Sequence, residues 1–438
     1  MTRGWTRRGT LALLGALAGC SGGNPLSAGS DEVQLDAATL RGMVDDASPA
    51  PALSRRLPVR IADDHLAASE ARARTLLDAV PATLGPAEIP NGAIRERVRH
   101  ARDRAAEGLA TATEAPTPFA RLAAFADARA EARFAAGAWR AIDAGLTREA
   151  LADAAEAVRA DRRALRERWR YVGADPVDAT LVHAAIETRV AAGRSDIAIG
   201  EPHRYRPGNP LGVGEIAEEI ERARAAVEDA AHLYDRLTAS IDDPVDLRRR
   251  MGNARRRLHD AFEDEQAALS SVDREEPWRV EGVDVEDTPA AEALEELFRP
   301  VDPADDDDGW ADTTPAEALT WAHASFVSLD AFGSLRERVR EGETFAVESV
   351  EDVAAMRTAA VEALRAAEAS PVHPALTRHS TADLADQLAW TDEELRDVSD
   401  GVRASWLRND AATYLTVAAR ARATPPSTER VVEALRSG

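Results

Sequence analysis

Apolar residues recur at steps of three and four along most of the chain. The clearest run is Ile216, Ile220, Ala223, Val227, Ala230, Tyr234, Leu237 and Ile241. This is the a/d seam of a heptad, suited to near-antiparallel packing at about 20°. Leu247, Met251, Ala254, Leu258 and Phe262 step the same way, and so do Leu151, Ala155, Val158, Leu165 and Trp169. The short Asp242-Asp243 connection is expected to fold 214–241 and 245–271 into an αα-hairpin. Sustained Val/Ile/Thr alternation is nearly absent, so strands are not expected.

The pattern predicts helices over 64–80, 92–112, 118–144, 148–171, 176–192, 214–241, 245–271, 289–298, 315–341, 350–369, 381–390, 392–400, 402–422 and 427–436. Several starts are written locally. Thr314-Pro315-Ala316-Glu317 reads as a capping box with proline at the first helical position, and Thr391-Asp392-Glu393-Glu394 repeats the logic, with Gly401 able to close that helix. Asp175-Pro176 and Asp243-Pro244 read as two further starts. The fold class is therefore all-α, an antiparallel multi-helix bundle with long helices, in one bundle or two sub-bundles. Pro- and Gly-bearing breaks at 193–213 and 273–313 divide it. The expected organisation is a signal peptide over 1–19, a flexible lipidated tether over 20–57, an N-terminal bundle over 58–272, an acidic linker or excursion over 273–313 and a C-terminal helical region over 314–438.

The signal peptide rests on residues. The only cysteine, Cys20, follows Leu17-Ala18-Gly19, the aliphatic and small residues a lipobox needs. Arg7 and Arg8 precede a short apolar run from Leu11 to Ala18, far short of the roughly 20 residues of a membrane-spanning helix. The expectation is export by the twin-arginine route, lipidation of Cys20, and a location on the extracytoplasmic face of the cell membrane. With Cys20 lipidated no thiol remains for a disulfide or a metal.

Composition changes the picture further. All 54 basic residues are arginine, against 77 acids, for a net charge of −23. Cleavage before Cys20 would remove Arg3, Arg7 and Arg8 as well. Such a surface repels itself, and molar salt, with a Debye length of about 3 Å, screens that repulsion. Acidity, absent lysine and abundant alanine, joined to the signal, resemble twin-arginine-exported lipoproteins of haloarchaea. The resemblance covers composition and signal only. The acidity also argues against nucleic acid as a partner.

Candidate chemistry is sparse. His183 with Glu187, Asp229 with His232, and His259 with Glu263 have helical spacing for His/carboxylate metal pairs, but His232 lies off its seam and His259 one step from Leu258. The expectation is no catalytic residue, no metal site and no cofactor. Asp305 to Asp308 before Gly309 fails the calcium-loop pattern, because the twelfth position is Pro315. Arginine-dense stretches at 159–170 and 248–257 are expected to pair with Glu215, Glu218, Glu219, Glu221 and Glu228. Trp139, Trp169, Trp321, Trp390 and Trp406 are expected to fill core or helix-crossing gaps. The most site-like segment is the rigid loop carrying His203, Arg204, Tyr205 and Arg206. No nucleophile elbow, P-loop or dinucleotide fingerprint is present. The expected role is noncatalytic, an interaction or scaffold protein meeting an unidentified envelope partner. Ligand capture is the alternative, as is an enzyme with a His/carboxylate site between helices.

Overall fold

A computed structural model describes residues 33–46, 48–193, 208–303 and 313–437. Among them lie thirteen α-helices and four two-residue strands. The all-α fold is as the periodicity requires. Strand β1 (Gln34–Leu35) and helix α1 (Ala37–Asp46) come first, followed by α2 (Asp63–Asp78), α3 (Gly92–Glu114), α4 (Pro118–Asp143) and α5 (Ala152–Arg168). Next are β2 (Val172–Gly173), α6 (Pro176–Ala192), α7 (Pro210–Ala239), β3 (Val245–Asp246) and α8 (Arg248–Ala267). The chain ends with α9 (Pro289–Phe298), α10 (Pro315–Arg340), α11 (Val350–Glu368), α12 (Pro374–Arg396), β4 (Val402–Arg403) and α13 (Arg408–Arg436). The strands pair as β1–β4 and β2–β3, both antiparallel.

Two helical halves result. Helices α2 to α7 pack around α4 and α7, whereas α8 to α13 pack around α10 and α13, with α1 laid on α11 and α12. The heptad face of α7 is buried as its spacing demands, from Ile216 to Leu237. Its partner, however, is the alanine-rich α4. The expected hairpin with the following helix does not form. Val245 and Asp246 pair with β2, Asp246 caps the backbone N–H of Arg248, and α8 turns away onto α10 and α13.

Glycine sets the α4–α7 distance. A Cβ on Gly214 would stand 2.9 Å from the Phe134 carbonyl oxygen, and one on Gly137 2.8 Å from Ala217 Cβ. A backbone oxygen cannot step aside without moving a helix. Gly214→Val is therefore expected to destabilise the chain by about 1–3 kcal/mol. Gly333, whose added Cβ meets nothing within 4 Å, serves as the control, because Gly333→Ala should gain up to about 1 kcal/mol of helix propensity. Thermal unfolding of the two variants checks both signs.

Three further expectations change. Residues 33–57 are not a free tether, since Leu35, Leu40, Val44 and Leu53 are buried in the core of the C-terminal half. Thr391 does not start a helix. It lies inside α12, its hydroxyl donating to the Gln387 carbonyl, and Asp392 is buried against Arg357 and Tyr414. Helix α13 continues through Pro425 and Pro426. Proline ordinarily breaks a helix interior, but Ala421, Ala423, Thr424, Ser427, Thr428 and Val431 are all buried on either side, so packing holds both turns.

Candidate functional site

Helix α6 is the hinge of the architecture. Residues from Pro176 to Val190 are buried almost all the way round, the mark of a helix enclosed on every side. Asp175 caps it, accepting from the N–H groups of Val177 and Asp178. Its residue Glu187 is buried and reaches into the other half. There it accepts from the N–H groups of Ala316 (3.2 Å) and Glu317 (2.6 Å), while the Tyr171 hydroxyl, just before β2, donates to it at 2.6 Å. A carboxylate from α6 thus occupies the N-terminus of α10, where unpaired N–H groups and the helix dipole favour negative charge. Burial pushes the Glu187 carboxyl up, and these hydrogen bonds oppose it.

Where α6 passes between the halves, a cleft of about 780 Å³ opens. Thr188 and Arg189 line it from α6, Phe262 and Gln266 from α8, Trp321 and Ser328 from α10, His379 and Asp383 from α12, and Arg420 from α13, with Arg55 and Leu57 from the loop before α2. The volume lies within the ordinary range for small-molecule sites. The lining mixes apolar walls with cations and hydroxyls. Burial first, then the Arg55 guanidinium and the neighbouring His323 ring, push the His379 ring down to about 3. Burial lowers Arg189 and Arg420 as well, although arginine stays charged.

Behind the cleft wall lies a hydrogen-bond chain. His323 is fully buried, with Nδ1 2.8 Å from Ser380 Oγ and Nε2 2.9 Å from Thr428 Oγ1. The Thr428 hydroxyl donates to the Thr424 carbonyl, so Nε2 carries the ring proton and Ser380 donates to Nδ1. Burial holds the ring at about 4. Ser380 has the neighbours of an activated nucleophile, but it sits mid-helix, where the backbone N–H groups are spent within α12 and cannot form an oxyanion hole.

Of the three histidine/carboxylate pairs with helical spacing, only His259 with Glu263 meets. Both His183 nitrogens are occupied, Nδ1 by the Trp169 indole N–H and Nε2 by the Val172 backbone. Asp229 accepts from His65, whose ring stacks on His232 at 4.1 Å. His259 Nδ1 stands 3.3 Å from Glu263 Oε2 at the cleft. A further His/carboxylate group, His373 with Asp175 and Asp178, bridges the halves at 3.5 and 3.8 Å and was not anticipated.

The arginine stretches also find different partners. Arg163 pairs with Glu156 and Arg168 with Asp235, whereas Arg257 bonds Ser437 and Arg255 the Thr313 carbonyl. Glu221, expected to serve them, is taken by Arg72, Arg129 and Arg224. The tryptophan expectation fails for three of five, because Trp321, Trp390 and Trp406 are 50%, 63% and 67% exposed. Cys20, Arg7, Arg8 and the loop residues His203, Arg204, Tyr205 and Arg206 lie outside the described residues, as does the acidic run from Asp305. Among described residues no helix is long and apolar enough to cross a membrane.

The cleft itself was not legible from spacing, since its residues come from loops and helices far apart in the chain. Comparison with known proteins divides the chain where the fold does. No curated protein and no solved structure matches it. Residues 64–243 match a family model described as a domain of unknown function (DUF8262), and residues 248–433 match a second so described (DUF8264).

Proposed function

We propose that this chain is a lipid-anchored extracytoplasmic protein that captures a small ligand in the cleft between its helical halves. The observation that carries the reading is the cleft of about 780 Å³, walled by both halves and crossed by α6. Its mixed lining suits orientation of a ligand better than docking of a flat protein surface. Export by the twin-arginine signal at Arg7 and Arg8 and lipidation at Cys20 complete the reading. Support comes from the signal and from the acidic, lysine-free composition, which resembles haloarchaeal lipoproteins and suits molar salt. The net charge of −23 argues against nucleic acid. The spent nitrogens of His183 and the helical setting of Ser380 favour binding over catalysis.

Two measurements test it. In native mass spectrometry of protein purified from its own membrane, a small-molecule adduct is expected at one per chain. It should disappear in Ala185→Trp, which fills the cleft from α6, and an adduct that survives that change would sink the reading. In fractionation, Cys20→Ser is expected to move the chain from the membrane to the soluble extracytoplasmic fraction, and retention in the membrane would overturn the anchor. A scaffold role toward an envelope protein is the second reading. It is favoured by the exposed Trp390 and Trp406, residue types that anchor interfaces. Crosslinking from native membrane at high salt should then yield a stoichiometric partner that is lost in the double alanine variant.

A further inference from the structure

The two arginines buried to 2%, Arg129 and Arg357, are saturated, although a sealed Nε alone also occurs outside the cleft, at Arg102, Arg121 and Arg336. Arg129 uses Nε, Nη1 and Nη2 against Glu221, Ser69 and Glu228, and Arg357 uses all three against Asp392 and the Ser48 carbonyl. The cleft arginines are not. Arg420 is 16% exposed and makes one side-chain hydrogen bond to a described residue, a 3.3 Å contact with Glu296, while its Nε is sealed without a partner. Arg189 is 14% exposed and, among the described residues, bonds only the Ala185 carbonyl, at 3.1 Å. Its nearest carboxylate oxygen, on Asp229, stands at 3.9 Å, and its guanidinium lies over the Phe119 ring. Arg55 binds Asp383, but its Nε is likewise sealed and unpartnered.

The acids of the cleft show the opposite condition. Asp383 holds Arg55, Asp302 holds Arg274, Glu263 faces His259 and Glu317 accepts from Thr314. The carboxylates of this cleft are therefore engaged, whereas guanidinium donors are left over. A guanidinium has five N–H donors, and leaving them desolvated and unmade is costly. A group rich in acceptor oxygens would satisfy them.

We propose that the ligand of this cleft is an organic anion whose oxyanion group is received by the under-bonded guanidiniums of Arg420 and Arg189, with its apolar body against the apolar part of the lining, which includes Leu57, Phe262 and Trp321. The inference rests on the capture reading and names its ligand class. Carboxylate and phosphate share this chemistry, because both match the planar donor fork of arginine.

The probes are a matched pair, 8-anilinonaphthalene-1-sulfonate and N-phenyl-1-naphthylamine, the same aromatic body with and without the anionic group. Fluorescence titration of the full chain at molar salt is expected to show one sulfonate site per chain, absent in Ala185→Trp. The neutral amine should bind at least about tenfold more weakly, or 1.4 kcal/mol. Arg420→Gln and Arg189→Gln, with unchanged circular dichroism, should each weaken the sulfonate by about tenfold and leave the amine unaltered. Displacement by benzoate or by phenyl phosphate, and not by benzyl alcohol, supports the class and says which oxyanion is preferred. If both probes bind equally and benzyl alcohol displaces them, the cleft captures ligands and the anion assignment is wrong. If neither probe binds, or if Ala185→Trp leaves binding intact, the capture reading falls with it. The comparison of the two probes on the unaltered chain stands even if an arginine variant does not fold.

Discussion

Glu221→Gln is expected to cost the chain about 3–5 kcal/mol, the usual penalty for removing one partner from a buried ionic group. Glu221 is fully buried on α7. One oxygen accepts from Arg129 at 3.0 and 2.8 Å, and Arg72 bonds both oxygens at 3.1 and 2.8 Å. Arg224 adds a longer contact at 3.4 Å. The network joins α2, α4 and α7, so its loss loosens the whole N-terminal half. Neutral glutamine keeps the shape and removes the charge, leaving Arg129 with the half-exposed Glu228 as its remaining carboxylate. Burial by itself would raise the Glu221 carboxyl, but the bonds from Arg72 and the charge of Arg129 outweigh it and hold the group at about 2. A folded-state value below the ordinary 4.5 means that the stabilisation is complete above about pH 4.5 and drains as pH falls toward 2. The gap between parent and variant, measured by denaturant unfolding, should be constant from neutral pH down to about 5 and close below that. A gap under about 1 kcal/mol at neutral pH would show that the network is balanced by its own desolvation.

What the sequence made legible was local. Asp175 caps α6 through its own side chain, and both α6 and α9 begin and end where their patterns do. The heptad of α7 is buried along its length. Its partner was not legible, because the choice between α4 and α8 is decided by whether glycines at 137 and 214 let two backbones approach, and that is visible only once both helices stand together. The motif at Thr391 misled for a related reason. A capping box is four residues long, but Asp392 belongs to Arg357 and Tyr414 on other helices, and a buried ion pair outweighs a local cap of about 1 kcal/mol. Three tryptophans expected in core or helix-crossing gaps are exposed, because residue type fixes average burial and not the face a given helix turns inward. The cleft is legible least of all. Arg55, Arg189 and Arg420 look like any others among 54 basic residues until the positions of their partners show which guanidiniums lack one.

His323→Gln and Asp410→Asn are expected to change the pH dependence of stability with opposite signs. His323 is fully buried in the C-terminal half, and desolvation lowers its ring from an ordinary 6.5 to about 4. The unfolded chain takes up this proton below about 6.5 and the folded chain only near 4. The contribution of neutral His323 is therefore whole above about pH 6.5 and is lost as pH falls toward 4, a change on the order of 3 kcal/mol. Glutamine does not titrate, so whatever His323→Gln costs at pH 7.5, that cost should shrink by this amount at pH 4. Asp410, partly buried near the start of α13, behaves in the contrary way. Burial, aided by the charge of Glu394, raises it from 3.8 to about 6. Its contribution is present below about 3.8 and is lost as pH rises through 6, where the folded chain must hold a poorly solvated carboxylate. Asp410→Asn should thus gain on the parent as pH increases from 4 to 7. Denaturant unfolding of parent and both variants at fixed salt, in steps from pH 4 to pH 7.5, separates the two. Salt screens the general repulsion of an acidic surface equally in all three chains, so crossed slopes identify these two buried sites. Parallel slopes would mean that water reaches both groups and that the surface carboxylates set the acid limb.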